Sequence, residues 1–182
     1  VIAYSYGVTA IAFGTSSREA FSGKVVMGKI IPPYTENFMT SDVLDFCVIA
    51  DANGDGRTWS FYNGEMRAEA SPTVAADDWL ISPPIAIEGF KYYVVSIDVK
   101  SESSAYPGKF EMKYGTSPTA EGMTIDLIPV TEVPNEKYLT YKGTVRVFED
   151  KNYYFGVHAV TEPDMWWMRV TNFSVSAPVD GA

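Results

Sequence analysis

Alternation of apolar and polar residues with a period of two is the dominant pattern in this chain. It is clearest in four segments: Lys91–Lys100, Lys109–Tyr114, Leu139–Val147 and Tyr153–Ala159. Because successive side chains of a strand point to opposite faces, each segment predicts a strand with one buried and one solvated face. No segment carries an apolar stripe at the helical period over three turns, and Met39–Asp45 offers at most one helical turn. The sequence therefore predicts an all-β protein.

Clusters of turn-forming residues separate the predicted strands. Gly, Pro, Asn and Asp gather in segments such as Asn53–Gly56, Ser82–Pro84 and Tyr106–Gly108. About ten or more short strands at this spacing predict a β-sandwich of two antiparallel sheets. The length of 182 residues suits one such domain with a small appendage.

The N-terminal segment is predicted to be that appendage. Two strands, Ala3–Phe13 and Ala20–Met27, form a hairpin in which Tyr4–Ala10 resembles part of the last hairpin of a fibronectin type III domain. A two-stranded hairpin alone is marginal in water, so it has to pack on something. The predicted divisions are 1–29, the end of such a domain plus linker; 30–178, the main domain; and 179–182, a tail. A hairpin that belongs to the main sandwich is the alternative.

Acidic residues outnumber basic ones. The chain has 23 Asp and Glu against 14 Lys and Arg, which gives a net charge of −9. A field of that sign repels phosphate backbones and anionic lipids, so nucleic acid and membrane surfaces are excluded as expected partners. No apolar run approaches the roughly 20 residues that a membrane-spanning helix needs, so no membrane insertion is expected of this chain. The same field raises the local concentration of cations such as Ca²⁺.

Two scarce residue types limit catalysis. Cys47 is the only cysteine and His158 the only histidine, which excludes an internal disulfide, a cysteine-rich zinc site and a multi-histidine metal centre. The chain has no Gly-x-Ser-x-Gly elbow. Adjacent Asp77 and Asp78 would point to opposite faces of a strand, so they cannot act as a paired acid and base. We therefore predict that the chain is not an enzyme, with His158 in a structural, hydrogen-bonded role.

A loop that begins at Asp51 matches the first half of a calcium-binding loop. Oxygen-bearing side chains stand at alternate positions, Asp51, Asn53 and Asp55, and a glycine follows at the sixth position. The twelfth position is Tyr62 rather than a bidentate Glu, so calcium would need a ligand from elsewhere, such as Glu65 or Glu36. A tight turn in which these side chains bind their own backbone is the alternative.

The last strand changes phase along its length. The apolar residues of one parity are Trp166, Met168 and Val170, and those of the other parity are Phe173 and Val175. A β-bulge produces a one-residue slip of this kind, so we place a bulge at Thr171–Asn172.

Five residues are candidates for ligand binding. Trp167 and Arg169 fall on the face opposite the first apolar set, which we predict to be solvated and to lie near Tyr154 or His158. Exposed Trp together with Arg is typical of binding patches, although burial of one tryptophan in the core is the alternative. Of the adjacent acids Asp77 and Asp78, we expect one to cap a turn and the other to contact an ion or a polar ligand. The candidates are Trp167, Arg169, Asp77, Asp78 and Tyr154.

Motifs distributed along the chain carry a family resemblance. They are Pro33–Phe38, Val48–Trp59, Ala76–Ile85, Lys113–Ala120, Asn152–Ala159 and the final strand Met165–Val175. In order and spacing they resemble the choice-of-anchor J or cleaved-adhesin family, over about Ile30–Val175. The resemblance implies a secreted, non-catalytic jelly-roll module of the kind found in the adhesin regions of gingipain proteases and in bacterial surface proteins, often after fibronectin type III repeats.

The same resemblance implies calcium ligands. Family members can bind calcium through an acidic residue near the first strand and another on the last strand. Glu36 matches the first position, whereas the last strand has Thr171–Asn172 where the family usually has Asp-Asn or Asp-Asp. The predicted metal ligands are Asp51, Asn53, Asp55, Glu36, Thr171 and Asn172.

These observations lead to one expected function and one alternative. We expect a non-catalytic adhesion or binding module of a secreted or cell-surface bacterial multidomain protein, with structural calcium. Its expected partners are a glycan or a host extracellular protein, and the neighbouring domains of a longer protein. The alternative is a structural spacer that positions a neighbouring catalytic or anchoring domain.

Calcium should stabilise the fold if the loop at Asp51 binds it. A tenfold excess over the dissociation constant adds about 1.4 kcal/mol to the free energy of unfolding. Calorimetry should therefore show a higher Tm with millimolar Ca²⁺ than with Mg²⁺, and the double substitution Asp51→Ala and Asp55→Ala should abolish the rise. An unchanged Tm between EDTA and millimolar Ca²⁺ would leave only the tight-turn interpretation.

Overall fold

The computed structural model describes residues 2–5, 7–8, 11–12, 15–16, 20–21 and 25–180. The N-terminal ranges form short pairs of antiparallel strands. The paired strands are β1 (Ile2–Tyr4) with β6 (Val25–Met27), β2 (Gly7–Val8) with β5 (Ala20–Phe21), and β3 (Ile11–Ala12) with β4 (Thr15–Ser16). None of these described strands pairs with the sheets of the main domain. The fibronectin-like remnant at 1–29 stays a prediction, because part of the two predicted strands, including 9–10 and 22–24, lies outside the described residues.

The main domain consists of strands and two short 3₁₀-helices. The strands are β7 (Tyr34–Glu36), β8 (Val48–Asp51), β9 (Trp59–Tyr62), β10 (Glu65–Ala68), β11 (Asp78–Ile81), β12 (Ile85–Ile87), β13 (Lys91–Ser101), β14 (Gly108–Gly115), β15 (Ile125–Val133), β16 (Leu139–Arg146), β17 (Lys151–Ala159), β18 (Met168–Val175) and β19 (Val179–Asp180). The helices are Ser41–Asp45 and Ala120–Gly122. Across the described ranges, no helix is long and apolar enough to cross a membrane.

The strands form two antiparallel sheets. In the first sheet the order is β16-β13-β18-β10-β9, with β7 also paired to β18 and β19 also paired to β13. In the second sheet the order is β15-β14-β17-β11-β8, with β12 also paired to β17. This jelly-roll-like β-sandwich confirms the predicted all-β fold class. Val179–Asp180 lies in the predicted tail but forms β19, which pairs with Lys91 and Tyr92.

The core lies between the two sheets, where the alternation predicts it. The buried residues of β13 are Tyr93, Val95, Ile97 and Val99, and they belong to one cluster with the buried faces of β14 and β17. Each large apolar side chain that is fully buried stabilises the fold by about 1.5–3 kcal/mol. The predicted pattern fails at Leu139, which is 54% exposed because it begins the edge strand β16.

The strand β15 is not evident from the sequence pattern. Its nine residues contain Pro129, which has no amide hydrogen to donate to a neighbouring strand. A central strand would leave a gap in the ladder at that point, whereas an edge strand has one free side. β15 lies at the edge of the second sheet, so its position accommodates the proline.

The predicted bulge in β18 is confirmed. Ser96 and Asp98 of β13 face Ser174 and Thr171, so β18 has one residue more than β13 between these pairs. Asn172 has a φ of 49°, which lies in the left-handed region that Asn adopts more readily than most residues. The apolar residues on both sides of the bulge, Met168, Val170, Phe173 and Val175, are all buried.

The bulge also marks a change of neighbour along one edge of β18. Met168–Val170 pairs with β10, whereas Phe173–Val175 pairs with β7. Without the extra residue, the second half of the strand would point its apolar side chains to solvent. The bulge therefore lets both halves of β18 contribute to the same core.

Removing the bulge residue should destabilise the fold. Deletion of Asn172 would turn Phe173 and Val175 outward. The exposure of each side chain should lower the free energy of unfolding by about 1.5–3 kcal/mol. The matched control, Asn172→Gly, keeps the residue count and suits the observed φ, so it should change the free energy of unfolding by less than about 1 kcal/mol. Denaturant unfolding measures both. Equal losses in the two variants would contradict the role of the bulge.

Candidate functional site

The loop that begins at Asp51 folds onto its own backbone. Asp51 Oδ1 accepts hydrogen bonds from the amides of Gly54 at 2.7 Å and Asp55 at 3.2 Å, and its Oδ2 accepts one from Gly56 at 2.8 Å. Gly54 and Gly56 have φ angles of 70° and 79°, which glycine adopts without steric cost. Both oxygens of Asp51 therefore have backbone partners.

Asn53 and Asp55 complete the same network. Asn53 Oδ1 accepts a hydrogen bond from the Asp55 amide at 3.1 Å, and its Nδ2 donates to the Ala75 carbonyl at 2.8 Å. Asp55 Oδ1 accepts a hydrogen bond from the Arg57 amide at 2.8 Å. These contacts are the tight-turn arrangement that the sequence offers as the alternative to a cation site.

The remaining predicted metal ligands lie on the first sheet. Glu36, at the end of β7, accepts hydrogen bonds from the Phe38 amide at 2.7 Å and the Tyr34 hydroxyl at 3.3 Å. Since Glu36 is opposite the inward-facing Phe173 in the register, it lies on the interior side of its sheet.

Thr171 and Asn172 have partners of their own. Thr171 donates to the Asn37 carbonyl at 2.9 Å, and Asn172 donates to the Asp98 carboxylate at 2.8 Å. Within the described ranges, no group of three or more His, Cys, Asp or Glu residues is arranged to hold a metal ion. The six residues therefore do not fit a single calcium site in this conformation, and calcium binding stays a prediction.

Solvent does not reach Asp78, one of the predicted ligand-binding residues. Asp78 is 1% exposed, and neither its Oδ1 nor the Thr58 hydroxyl has a hydrogen-bond partner among the described residues. Burial, together with the negative charges of Asp51, Asp55 and Asp77, raises the pKa of Asp78 to about 7. Contrary to the prediction, Asp78 cannot contact a ligand in solution, because its side chain points into the sandwich.

Asp77 belongs to a cluster on the outer face of the second sheet. The His158 ring stacks on Trp79 with 3.9 Å between centroids. His158 Nε2 lies 2.7 Å from Asp77, and Nδ1 lies 2.9 Å from Glu111. The predicted hydrogen-bonded role of His158 is confirmed. Tyr154 is half-buried and packs against the small apolar cluster that contains Trp79.

Trp167 and Arg169 lie on the other side of the molecule. The sequence predicts them near Tyr154 or His158, but β17 and β18 belong to different sheets. That prediction is wrong, because residue parity within a strand gives the face of a sheet but not the sheet to which the strand belongs.

Arginine and aromatic side chains form a layer on the outer face of the first sheet. The Arg67 guanidinium lies 3.7 Å from the centroid of a Trp167 ring and 4.0 Å from that of Tyr62. Contacts of this kind contribute about 0.5–1 kcal/mol each at exposed sites. Arg169 binds the carboxylates of Glu65 and Glu102, so its positive charge is paired within the protein.

A cleft of about 380 Å³ opens beside this layer, where the chain leaves β10 and enters β18. We call it the end cleft, and its lining includes Arg57, Glu69, Asp164, Trp166 and Trp167. Arg57 Nη1 and Glu69 Oε1 form an ion pair at 2.5 Å. The Asp164 carboxylate is exposed and has no hydrogen-bond or ion-pair partner within the described part of the chain.

Two aromatic residues at the end cleft are not among the predicted ligand-binding residues. Trp166 and Tyr106 stack with 4.8 Å between centroids and 9° between ring planes, and they are 49% and 39% exposed. The parity of the last strand assigns Trp166 to the buried set, but β18 begins only at Met168, so parity does not apply to it. The turn cluster containing Tyr106 is visible in the sequence, whereas its contact with a residue so distant along the chain is not.

Comparisons with known proteins identify the fold. No protein-family model matches the chain, and no curated protein matches its sequence. Among solved structures, the K1 cleaved adhesin domain of Lys-gingipain from Porphyromonas gingivalis has a TM-score of 0.61 at 14% identity, covering 79% of this chain and 97% of that one. The K3 domain of the same protein has a TM-score of 0.59 at 14% identity, covering 79% and 96%.

A carbohydrate-binding structure is also similar. The CBM22-1 xylan-binding domain from Paenibacillus barcinonensis has a TM-score of 0.53 at 10% identity, covering 86% of this chain and 100% of that one. At such low identities these similarities establish a shared fold and nothing finer. The chain therefore has a fold like that of the gingipain adhesin domains.

Asp78 should make stability depend on pH. Between its unfolded pKa of about 4 and its folded pKa of about 7, the folded state holds a proton that the unfolded state has lost. The contribution of Asp78 to the free energy of unfolding is therefore fully present below about pH 4. It decreases as the pH rises to about 7 and is lost above that. Asp78→Asn should remove this decrease when unfolding is measured from pH 4 to 8 in EDTA. The exposed control Asp42→Asn should retain it, and an unchanged profile in Asp78→Asn would contradict the assignment.

Proposed function

We propose that the chain is a non-catalytic binding module of a secreted or cell-surface bacterial protein and that its ligand is a glycan. The observation that carries this proposal is the exposed, stacked pair of Trp166 and Tyr106 at the end cleft. A sugar ring has a face of C–H groups that packs on an aromatic ring, and a rim of hydroxyls that needs polar partners. The end cleft offers both kinds of surface.

The shared fold supports a binding role. Solved structures with this architecture include adhesin domains of Lys-gingipain and a xylan-binding domain. The motifs at Pro33–Phe38, Val48–Trp59 and Ala76–Ile85 add the resemblance to the choice-of-anchor J and cleaved-adhesin family. The proposal includes the features that accompany that family: an extracellular location and a preceding fibronectin type III-like domain.

The state of the histidine supports a non-catalytic role. Each ring nitrogen of His158 is next to a carboxylate, of Asp77 or Glu111, and one face of the ring is covered by Trp79. An imidazole held in this way has no free nitrogen directed at a nucleophile. The side chain fixes neighbouring strands to one another instead.

Structural calcium remains part of the proposal with a restricted site. Of the predicted ligands, only Asp51, Asn53 and Asp55 share one loop, and their oxygens would have to exchange backbone amides for the cation. The calorimetric comparison of Ca²⁺ with EDTA tests this part independently of the glycan.

An array of glycans and extracellular matrix proteins tests the proposed function. The labelled domain should bind at least one glycan, and Trp166→Ala together with Tyr106→Ala should reduce that signal by about tenfold or more. Binding to matrix proteins without any glycan signal would favour a protein-binding adhesin. Absence of binding to both classes would favour the structural spacer, and turnover of any arrayed glycan would contradict a non-catalytic module.

A further inference from the structure

We propose that the end cleft binds an uncharged sugar unit, which stacks on the free face of the Trp166 indole and hydrogen-bonds to Asp164 and to the Arg57–Glu69 pair. This inference rests on the proposed glycan-binding function and specifies its site and the chemical class of its ligand. The site is separate from the outer face of the second sheet, where Trp79 and His158 lie.

The geometry of Trp166 provides the stacking surface. Tyr106 covers one face of the indole, with ring planes 9° apart. Since Trp166 is still 49% exposed and lines the end cleft, its exposed area is the opposite face and the ring edge. Tyr106 therefore supports the indole from behind and limits its rotation, which lowers the entropy lost when a ligand stacks on it.

Hydrogen bonds between loops hold this surface in place. The Asp164 amide donates to the Ser71 carbonyl at 2.8 Å, and the Glu102 amide donates to the Trp167 carbonyl at 2.9 Å. These bonds join the segment before β18 to the loops that follow β10 and β13. The indole and the polar groups across the cleft are thus fixed relative to each other before a ligand arrives.

The polar groups suit hydroxyls. The Asp164 carboxylate has no partner within the described part of the chain, so it can accept hydrogen bonds from two adjacent hydroxyls. Across the cleft, Arg57 presents donors and Glu69 presents acceptors. A sugar hydroxyl both donates and accepts, so it can satisfy either partner of this ion pair without breaking it.

The charge in the cleft selects against charged ligands. Arg57 and Glu69 compensate each other at 2.5 Å, and Asp164 leaves one negative charge in excess. That excess, within a protein of net charge −9, repels carboxylated, sulfated and sialylated sugars. An uncharged sugar avoids this repulsion.

Titration calorimetry with defined probes tests the inference. The probes are β-1,4-linked xylo-, gluco- and manno-hexaoses, the acidic oligosaccharides oligogalacturonate and sialyllactose, and choline. At least one neutral hexaose should bind, and Trp166→Ala should weaken it by about tenfold or more. Phe148→Ala is the matched control, because Phe148 also contacts an aromatic ring, edge-to-face with Phe90, and is 67% exposed, but lies before β17, at the opposite end from the cleft. It should leave the affinity unchanged.

A separate substitution tests how the charge of the cleft affects ligand selection. Asp164→Asn keeps the side-chain shape and removes the excess negative charge, so it should weaken the neutral hexaose several-fold and reduce the discrimination against oligogalacturonate. Tighter wild-type binding of an acidic sugar or of choline than of every neutral hexaose would overturn the proposed ligand class.

The outcomes separate this inference from the proposed function. If the domain binds a glycan on the array and Trp166→Ala binds it as tightly as the wild type does, the end cleft is not the site, although the binding function stands. If the wild type binds no probe and no arrayed glycan, both proposals fail.

Discussion

The one-residue shift of phase at Asn172 is the constraint on which the rest of the first sheet depends. β18 is paired on both edges, to β13 along one side and to β10 and then β7 along the other. Because the bulge restores the inward parity after the change from β10 to β7, both halves of the strand bury their apolar residues. The segment that carries Trp166 and Trp167 leads directly into β18, so the position of the end cleft follows from the same strand.

The partners of the acidic side chains differ between the surface, the interior and the end cleft. At the surface, the Asp51 loop binds its own amides, and Asp77 binds His158. In the interior, Asp78 lacks a partner for one oxygen, and burial raises its pKa. At the end cleft, Asp164 is exposed without a partner within the described residues. Backbone amides and a histidine partly compensate the charge of the first two groups, whereas the charge at Asp164 remains available to a ligand.

The sequence predicts more of the fold than of the candidate site. Period-two alternation gives β13, β14 and β17 with the correct buried faces, and the parity change in β18 gives the bulge at Asn172, because both patterns are local. Parity cannot assign a strand to one of two sheets, so the sequence predicts Trp167 beside Tyr154 or His158, although Trp167 leads into β18 of the first sheet and β17 belongs to the second. The contact of Trp166 with Tyr106 depends on loop conformations, which no periodic pattern specifies.

We infer that loops at one end of the sandwich present a preformed surface for an uncharged sugar. A crystal structure of the full chain soaked with a neutral hexaose that binds in solution tests it most directly. We expect a sugar ring parallel to the Trp166 indole on the face opposite Tyr106, with hydroxyls within hydrogen-bond distance of Asp164 and of Arg57 or Glu69. Well-ordered sugar bound only on the outer face of the second sheet, beside Trp79 and His158, would contradict it.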